Sequence, residues 1–231
     1  MIEICGMKLQ KGVLSVEYHE GRERKRALKY RLARRTNEVL QVIKSYKGKE
    51  IDSLCDVGTA DGMMLDMLNQ NLNVKTAIGL DFSIELLKTN QNSKLNLLKG
   101  DAIELPFKED SFDVVVATAV IEHVSDAGRM LEECRRILKA SGLCILTTPD
   151  PLFERIATKV GHLEEDQHVK TFKLLELVSL LKSKGFKILK AEKFMMSPIG
   201  FPYEVKIEKI MKLAKLDFLL LNQLVAAQKI S

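Results

Sequence analysis

Ile51-Asp-Ser-Leu-Cys-Asp56-Val-Gly58-Thr-Ala-Asp-Gly62 reads as a buried strand, an acidic residue and a small-residue turn that opens into a helix starting at Met63. A strand that ends in Gly-x-x-x-Gly lets a ligand approach the backbone, because glycine lacks the Cβ that would hold it away. The helix behind the turn offers unpaired backbone N–H groups to whatever lies there. In open α/β sheets, nucleotide-type ligands bind at this position. The turn is not Gly-x-Gly-x-x-Gly, and no Gly-Lys-Ser/Thr follows, so it is neither a dinucleotide fingerprint nor a phosphate loop. It points instead to a nucleoside ligand without a phosphate chain.

Beyond this stretch the chain alternates between strand and helix. Strand 51–56 and helix 62–69 lead to strand 74–80, and Ser83 caps a helix reaching about Gln91. After strand 94–99, Asp113-Val-Val-Val-Ala-Thr-Ala is a continuous apolar run, the pattern of a strand covered on both faces. A helix over 125–138 directs Leu131, Cys134, Ile137 and Leu138 inward. Ser141-Gly142 reads as a turn before strand 143–148. Helix 171–183, strand 186–193, an amphipathic helix over 203–216 and a closing apolar run 221–228 complete the chain. That order predicts an α/β fold with a doubly wound, mostly parallel sheet and helices on both faces. No repeat or low-complexity linker interrupts it. The expected organisation is a basic helical segment 1–48 followed by the main domain 49–231, with a helical insertion at about 200–217.

Composition narrows the setting. At 231 residues, 46% hydrophobic and 29% charged, the chain has the profile of an ordinary globular protein. Its four cysteines, Cys5, Cys55, Cys134 and Cys144, form no Cys-x-x-Cys pair, and no metal cluster is visible. Cys55 and Cys144 sit in apolar runs as core residues, which fits a reducing cytosol. The N-terminus lacks the basic and apolar regions of a secretory signal, and no apolar run approaches the roughly 18 residues of a bilayer span. A cytoplasmic location is expected. The net charge of +5 is concentrated in Arg22, Arg24, Lys25, Arg26, Lys29, Arg31, Arg34 and Arg35, beside the apolar stripe Leu28, Leu32, Val39 and Ile43. That segment reads either as a helix with a solvated basic face or as an anion-attracting surface for a phosphorylated substrate, nucleic acid or acidic headgroups.

Three more features fall at the carboxyl ends of successive strands. Gly79-Leu-Asp81-Phe82-Ser83 places a carboxylate about 20 residues after the turn, where it can accept both hydroxyls of a ribose. Gly100-Asp101-Ala102 comes next, followed by Leu105-Pro-Phe107. Ala117-Thr-Ala119-Val-Ile-Glu122-His123 ends the fourth strand. In order and spacing over residues 50–195, this series resembles the class I S-adenosylmethionine-dependent methyltransferases. It is similar in style to the small-molecule group that includes ubiquinone and menaquinone biosynthesis enzymes. Leu131-Glu-Glu-Cys-Arg-Arg-Ile-Leu-Lys139, Leu143-Cys-Ile-Leu-Thr-Thr-Pro149 and His168-Val-Lys-Thr-Phe172 belong to the same likeness. One departure is Ala60, where the family usually has a glycine.

The resemblance implies a seven-stranded sheet with an antiparallel last strand, and S-adenosyl-L-methionine as cofactor. It assigns Asp56 and the Gly58 backbone to the amino-acid portion, with Thr59 and Gly62 as further cofactor-binding residues of the turn. Asp81 would take the ribose hydroxyls and Phe82 the adenine face. Asp101 and Ala102 would meet the adenine edge, and the Ala119 backbone the methionine amino group. For proton removal from an acceptor, His123 and His168 are the candidates, since histidine titrates nearest neutral pH. For His123 a capping or supporting role competes with the base; for His168 base, substrate contact and plain loop residue stand level. Glu122 could orient either one. The expected acceptor is a small molecule, anionic or apolar, and the oligomeric state is open. Two other readings stand beside it. The first is an RNA or other nucleic-acid methyltransferase using the basic helix, against which stands its single aromatic, Tyr30. The second is a non-catalytic cofactor-binding module.

Overall fold

A computed structural model of the chain describes residues 25–153 and 169–230. Seven strands form one sheet: β1 Glu50–Val57, β2 Asn73–Asp81, β3 Asn96–Lys99, β4 Phe112–Thr118, β5 Leu138–Pro149, β6 Phe186–Phe194 and β7 Asn222–Lys229. Their order is β3-β2-β1-β4-β5-β7-β6. Pairings among β1 to β5 are parallel, whereas β7 runs antiparallel to both β5 and β6. β6 therefore points the same way as β5, and its last residue, Phe194, lies at the carboxyl edge. The strand order reverses between β1 and β4, which opens a crevice above that edge.

Among the described residues six α-helices accompany the sheet: α1 Arg26–Tyr46, α2 Met63–Asn71, α3 Ile84–Lys88, α4 Ala127–Ile137, α5 Leu174–Ser183 and α6 Glu204–Leu213. The apolar run of β4 is divided between two cores because successive side chains point to opposite faces. Val114 and Val116 join Val39, Ile43, Leu65 and Leu68 of α1 and α2 on one side. Val115 and Ala117 join Met130, Cys134 and Ile137 of α4 and Leu177 and Leu181 of α5 on the other. Cys55, Cys134 and Cys144 are buried thiols of that second core. Burial in apolar surroundings pushes the Cys55 thiol well above its ordinary range. Cys5 lies outside the described residues.

Several local expectations need correction. Ser141-Gly142 does not separate α4 from β5. The strand starts at Leu138 and carries Ser141 through at a φ of 58°, because the register of β5 against β4 is irregular there. The helix after Ser83 is only five residues long. The basic stretch is not uniformly solvated either. Arg34 is buried against Phe194 and paired with Glu38 and Glu208, and Arg35 donates twice to Asn222 Oδ1 at 3.1 and 3.0 Å. Arg22 and Arg24 fall outside the described residues.

The largest correction concerns α6. Its amphipathic pattern predicts a packing face of Val205, Ile207, Ile210, Met211, Leu213, Ala214 and Leu216, of which Ile207 and Met211 are half-buried and the others exposed. The helix instead turns Glu204 and Glu208 inward and leaves Val205, Ile210 and Leu213 exposed. The reason is the anchor beneath it. Glu204 accepts the Tyr30 hydroxyl at 2.5 Å and the Met196 and Ser197 N–H groups at 2.7 and 2.9 Å, and Glu208 meets Arg34 at 2.6 Å. Among the described residues, no helix is long and apolar enough to cross a membrane.

Candidate functional site

The turn after β1 depends on left-handed backbone at three residues: Gly58 at φ 75°, Ala60 at 54° and Gly62 at 78°. At Gly58 the requirement is doubled. A Cβ there would stand 2.1 Å from Val120 Cγ2, so the β1 turn and the segment after β4 touch directly across the switch point. The Gly58 and Thr59 N–H groups both donate to Leu80 O, at 2.7 and 3.0 Å, which fastens the turn to β2. Asp56 is buried, and its Oδ2 accepts the Thr59 hydroxyl at 2.8 Å. Gly62 is the N-cap of α2, and Asp61 Oδ1 accepts the Met63 N–H at 3.0 Å.

Asp81 ends β2 and closes the other side of the turn. Its Oδ2 accepts the Ala60 N–H and its Oδ1 the Ser83 N–H, each at 2.8 Å. These two bonds fix the plane of a carboxylate that stays half-buried. The next side chain, Phe82, is 44% exposed. An exposed ring beside a fixed carboxylate at a strand end suits a flat base attached to a diol. Beyond β3, Asp101 Oδ1 accepts the Ile103 N–H at 3.0 Å, while Ala102 is buried. Ala119 follows β4 in a left-handed conformation, φ 54°, its N–H donating to Thr147 O at 2.8 Å. A non-glycine residue in that region is strained, and such strain gathers where a backbone must face a particular way. Ala60 and Ala119 thus flank one crevice. Its donors and acceptors fit S-adenosyl-L-methionine: a diol acceptor, an apolar ring, a close-approach glycine and a helix N-terminus without a phosphate loop.

The histidines fare differently. His123 is half-buried in the turn after β4, where its N–H donates to Val120 O at 2.8 Å. His168 lies outside the described residues. Among the described residues, Val169 and Lys170 donate N–H bonds to Glu122 O at 2.8 and 3.2 Å.

Apart from Glu122, sequence reasoning missed a buried polar cluster on the β5–β7 side. Glu122 is fully buried and its Oε2 accepts the Thr148 hydroxyl at 3.1 Å. Gln223 donates to Phe172 O at 2.7 Å, and buried Asp150 pairs with Lys193. The one signal available was that these polar residues follow apolar strand cores. A groove of about 680 Å³ lies nearby, between Arg26, Lys29 and Tyr30 of α1 and Ile199–Pro202, which leave the carboxyl edge after β6.

With this geometry in hand, the kinship of the chain is informative. Residues 55–146 match a family model described as a methyltransferase domain. Malonyl-[acyl-carrier protein] O-methyltransferase 1 of Coxiella burnetii is 32% identical over 108 residues, covering 45% of this chain and 37% of that protein. Demethylmenaquinone methyltransferase of Bacillus velezensis is 32% identical over 129 residues, covering 51% and 53%. The chain thus spans about a third to a half of the length of these relatives. An S-adenosylmethionine-dependent methyltransferase of Thermotoga maritima superposes with a TM-score of 0.67 at 22% identity, over 93% of this chain and 95% of that one. A chain from the Haloferax volcanii complex of the Trm112 activator with a methyltransferase gives 0.68 at 20%, over 94% and 95%. Strand order, turn geometry and kinship converge: residues 55–146 match a methyltransferase domain, and the chain has the fold of the class I, S-adenosylmethionine-dependent methyltransferases.

Proposed function

We propose that the protein transfers a methyl group from S-adenosyl-L-methionine to a small-molecule acceptor in the cytoplasm. The observation that carries this reading is the switch point itself, where the Asp81 carboxylate is hydrogen-bonded to the left-handed Gly58–Gly62 turn and is followed by the exposed Phe82. When bound, the cofactor supplies an activated sulfonium methyl, so the protein need only align an acceptor and keep water out. Asp81 binds the ribose diol and Phe82 covers the adenine. Asp101 and Ala102 meet its edge. Asp56, Gly58, Thr59 and Gly62 shape the amino-acid end, with the Ala119 carbonyl toward its ammonium group.

On the acceptor side, His123 holds or removes the acceptor proton, with His168 as the second candidate for that role. Arg26 and Lys29 with Tyr30 and Phe201 favour an acceptor that joins an anionic group to an apolar body. Consumption of two cations by internal partners, Arg34 and Arg35, weighs against a nucleic-acid track along α1. The direct test is formation of S-adenosylhomocysteine over a panel of phenolic, carboxylic and phosphorylated acceptors. Turnover with at least one acceptor, abolished by Asp81→Ala, is expected. A folded wild type that methylates none of them contradicts the proposal.

A further inference from the structure

The outward face of α6 and the turn after it is apolar, and nothing in the described chain covers it. Leu213 is 85% exposed and Ile210 64%, and the surface continues through Val205, Leu216, Phe218 and Leu219. A surface helix of a globular protein normally points such residues to the core and its charges to water. Here the inward face carries Glu204 and Glu208 beside half-buried Ile207 and Met211, and the outward face keeps Val205, Ile210 and Leu213 in solvent. Glu204 and Glu208 serve as inward anchors to Tyr30, Arg34 and the backbone of Met196 and Ser197. A contiguous exposed apolar surface marks a binding face.

The charges on that face identify its partner. Lys206, Lys209 and Lys215 are exposed among the apolar side chains, whereas both glutamates of α6 are buried and Asp217 is half-buried. Lys212 is occupied by Glu192 at 2.8 Å. The fully exposed charges of this face are therefore all positive. A second copy of the same face would bring lysines against lysines. An anionic lipid surface would instead accept the apolar side chains between its acyl chains while its headgroups meet the ammonium groups. We propose that α6 and residues 214–219 form a docking face for membranes bearing anionic lipid. This proposal does not depend on the methyl-transfer reading.

Co-sedimentation of the full chain with vesicles tests it, using phosphatidylcholine alone and equal parts phosphatidylcholine and phosphatidylglycerol. Wild type should sediment with the mixed vesicles, remain in solution with phosphatidylcholine alone, and be released by added salt. Lys206→Glu should weaken binding about fivefold or more. Leu213→Ser, at a site with no buried contact to lose, should keep its melting temperature and weaken binding about tenfold or more. Wild type that stays in solution with both vesicles overturns the proposal, whether a second copy or the chain's own remaining segment covers the face. Equal binding to both vesicles, or undiminished binding by folded Leu213→Ser, overturns it as well. So does a dimer of wild type that Leu213→Ser dissociates.

Discussion

Two neighbouring small residues in the β1 turn carry opposite expectations. At Gly58 an added methyl meets Val120 and the backbone is left-handed, so Gly58→Ala should lower stability by about 1–3 kcal/mol in urea unfolding. Ala60 also occupies the left-handed region, φ 54°, where an L-residue is disfavoured by about 1–2 kcal/mol. Glycine there relieves that strain but loses more chain entropy on folding, so Ala60→Gly should stabilise by about 0.5 kcal/mol. A destabilised Ala60→Gly would show that the turn needs the alanine methyl. Much at this scale was legible in sequence. Asp81 and Gly58 sit at strand ends that hydrophobic runs locate, and their spacing follows from one βαβ unit. The contact of Gly58 with Val120 was not legible, because it depends on the side-by-side placement of β1 and β4.

Among the elements, the attachment of α6 to α1 is the feature that local sequence conceals. Tyr30 and Glu204 lie 174 positions apart, as do Arg34 and Glu208. A helical wheel of residues 203–216 therefore selects the apolar side as the packing side, and distant arginine and tyrosine turn the helix so that Glu204 and Glu208 face inward beside half-buried Ile207 and Met211. Removing Arg34 leaves Glu38 and Glu208 without its cation. Arg34→Met should cost about 3–5 kcal/mol near neutral pH, read from chemical denaturation. The pH dependence has a definite sign. Burial, with the Glu204 and Glu38 charges adding and Arg34 opposing, holds the Glu208 carboxyl above its usual range. A raised folded pKa gives stability that is complete below the unfolded value and is lost as pH rises through the folded one. Without Arg34 that rise is larger, so the deficit of Arg34→Met should shrink from about pH 7 to about pH 5. An unchanged or growing deficit would contradict the assignment.

Glu133 on α4 behaves in the opposite sense. The Arg136 guanidinium donates to it at 2.7 Å and lowers its carboxyl, burial opposing, while its Oε2 also accepts the Leu105 N–H at 2.8 Å. A depressed folded pKa gives stability that is present above the unfolded value, about 4.3, and is lost as pH falls through the folded one. Glu133→Gln should therefore cost about 1–3 kcal/mol at neutral pH and flatten the acid limb of the stability curve. Unchanged acid unfolding in this variant would show that the pair contributes nothing.

For the whole molecule, the alternation of strands and helices and the apolar run of β4 made the sheet legible, including the antiparallel final strand implied by family likeness. The buried polar cluster was not legible as a cluster. Glu122, Thr148 and Gln223 come from three separate strand ends, and only the order β4-β5-β7 gathers them. Calorimetric titration of S-adenosylmethionine and S-adenosylhomocysteine into wild type and Asp81→Ala tests the central claim most directly. The expected result is micromolar binding, about −8 kcal/mol, by the wild type and its loss in the variant. Heat-free titration of a folded wild type with both ligands, or equal binding by Asp81→Ala, would contradict the cofactor site described for this crevice.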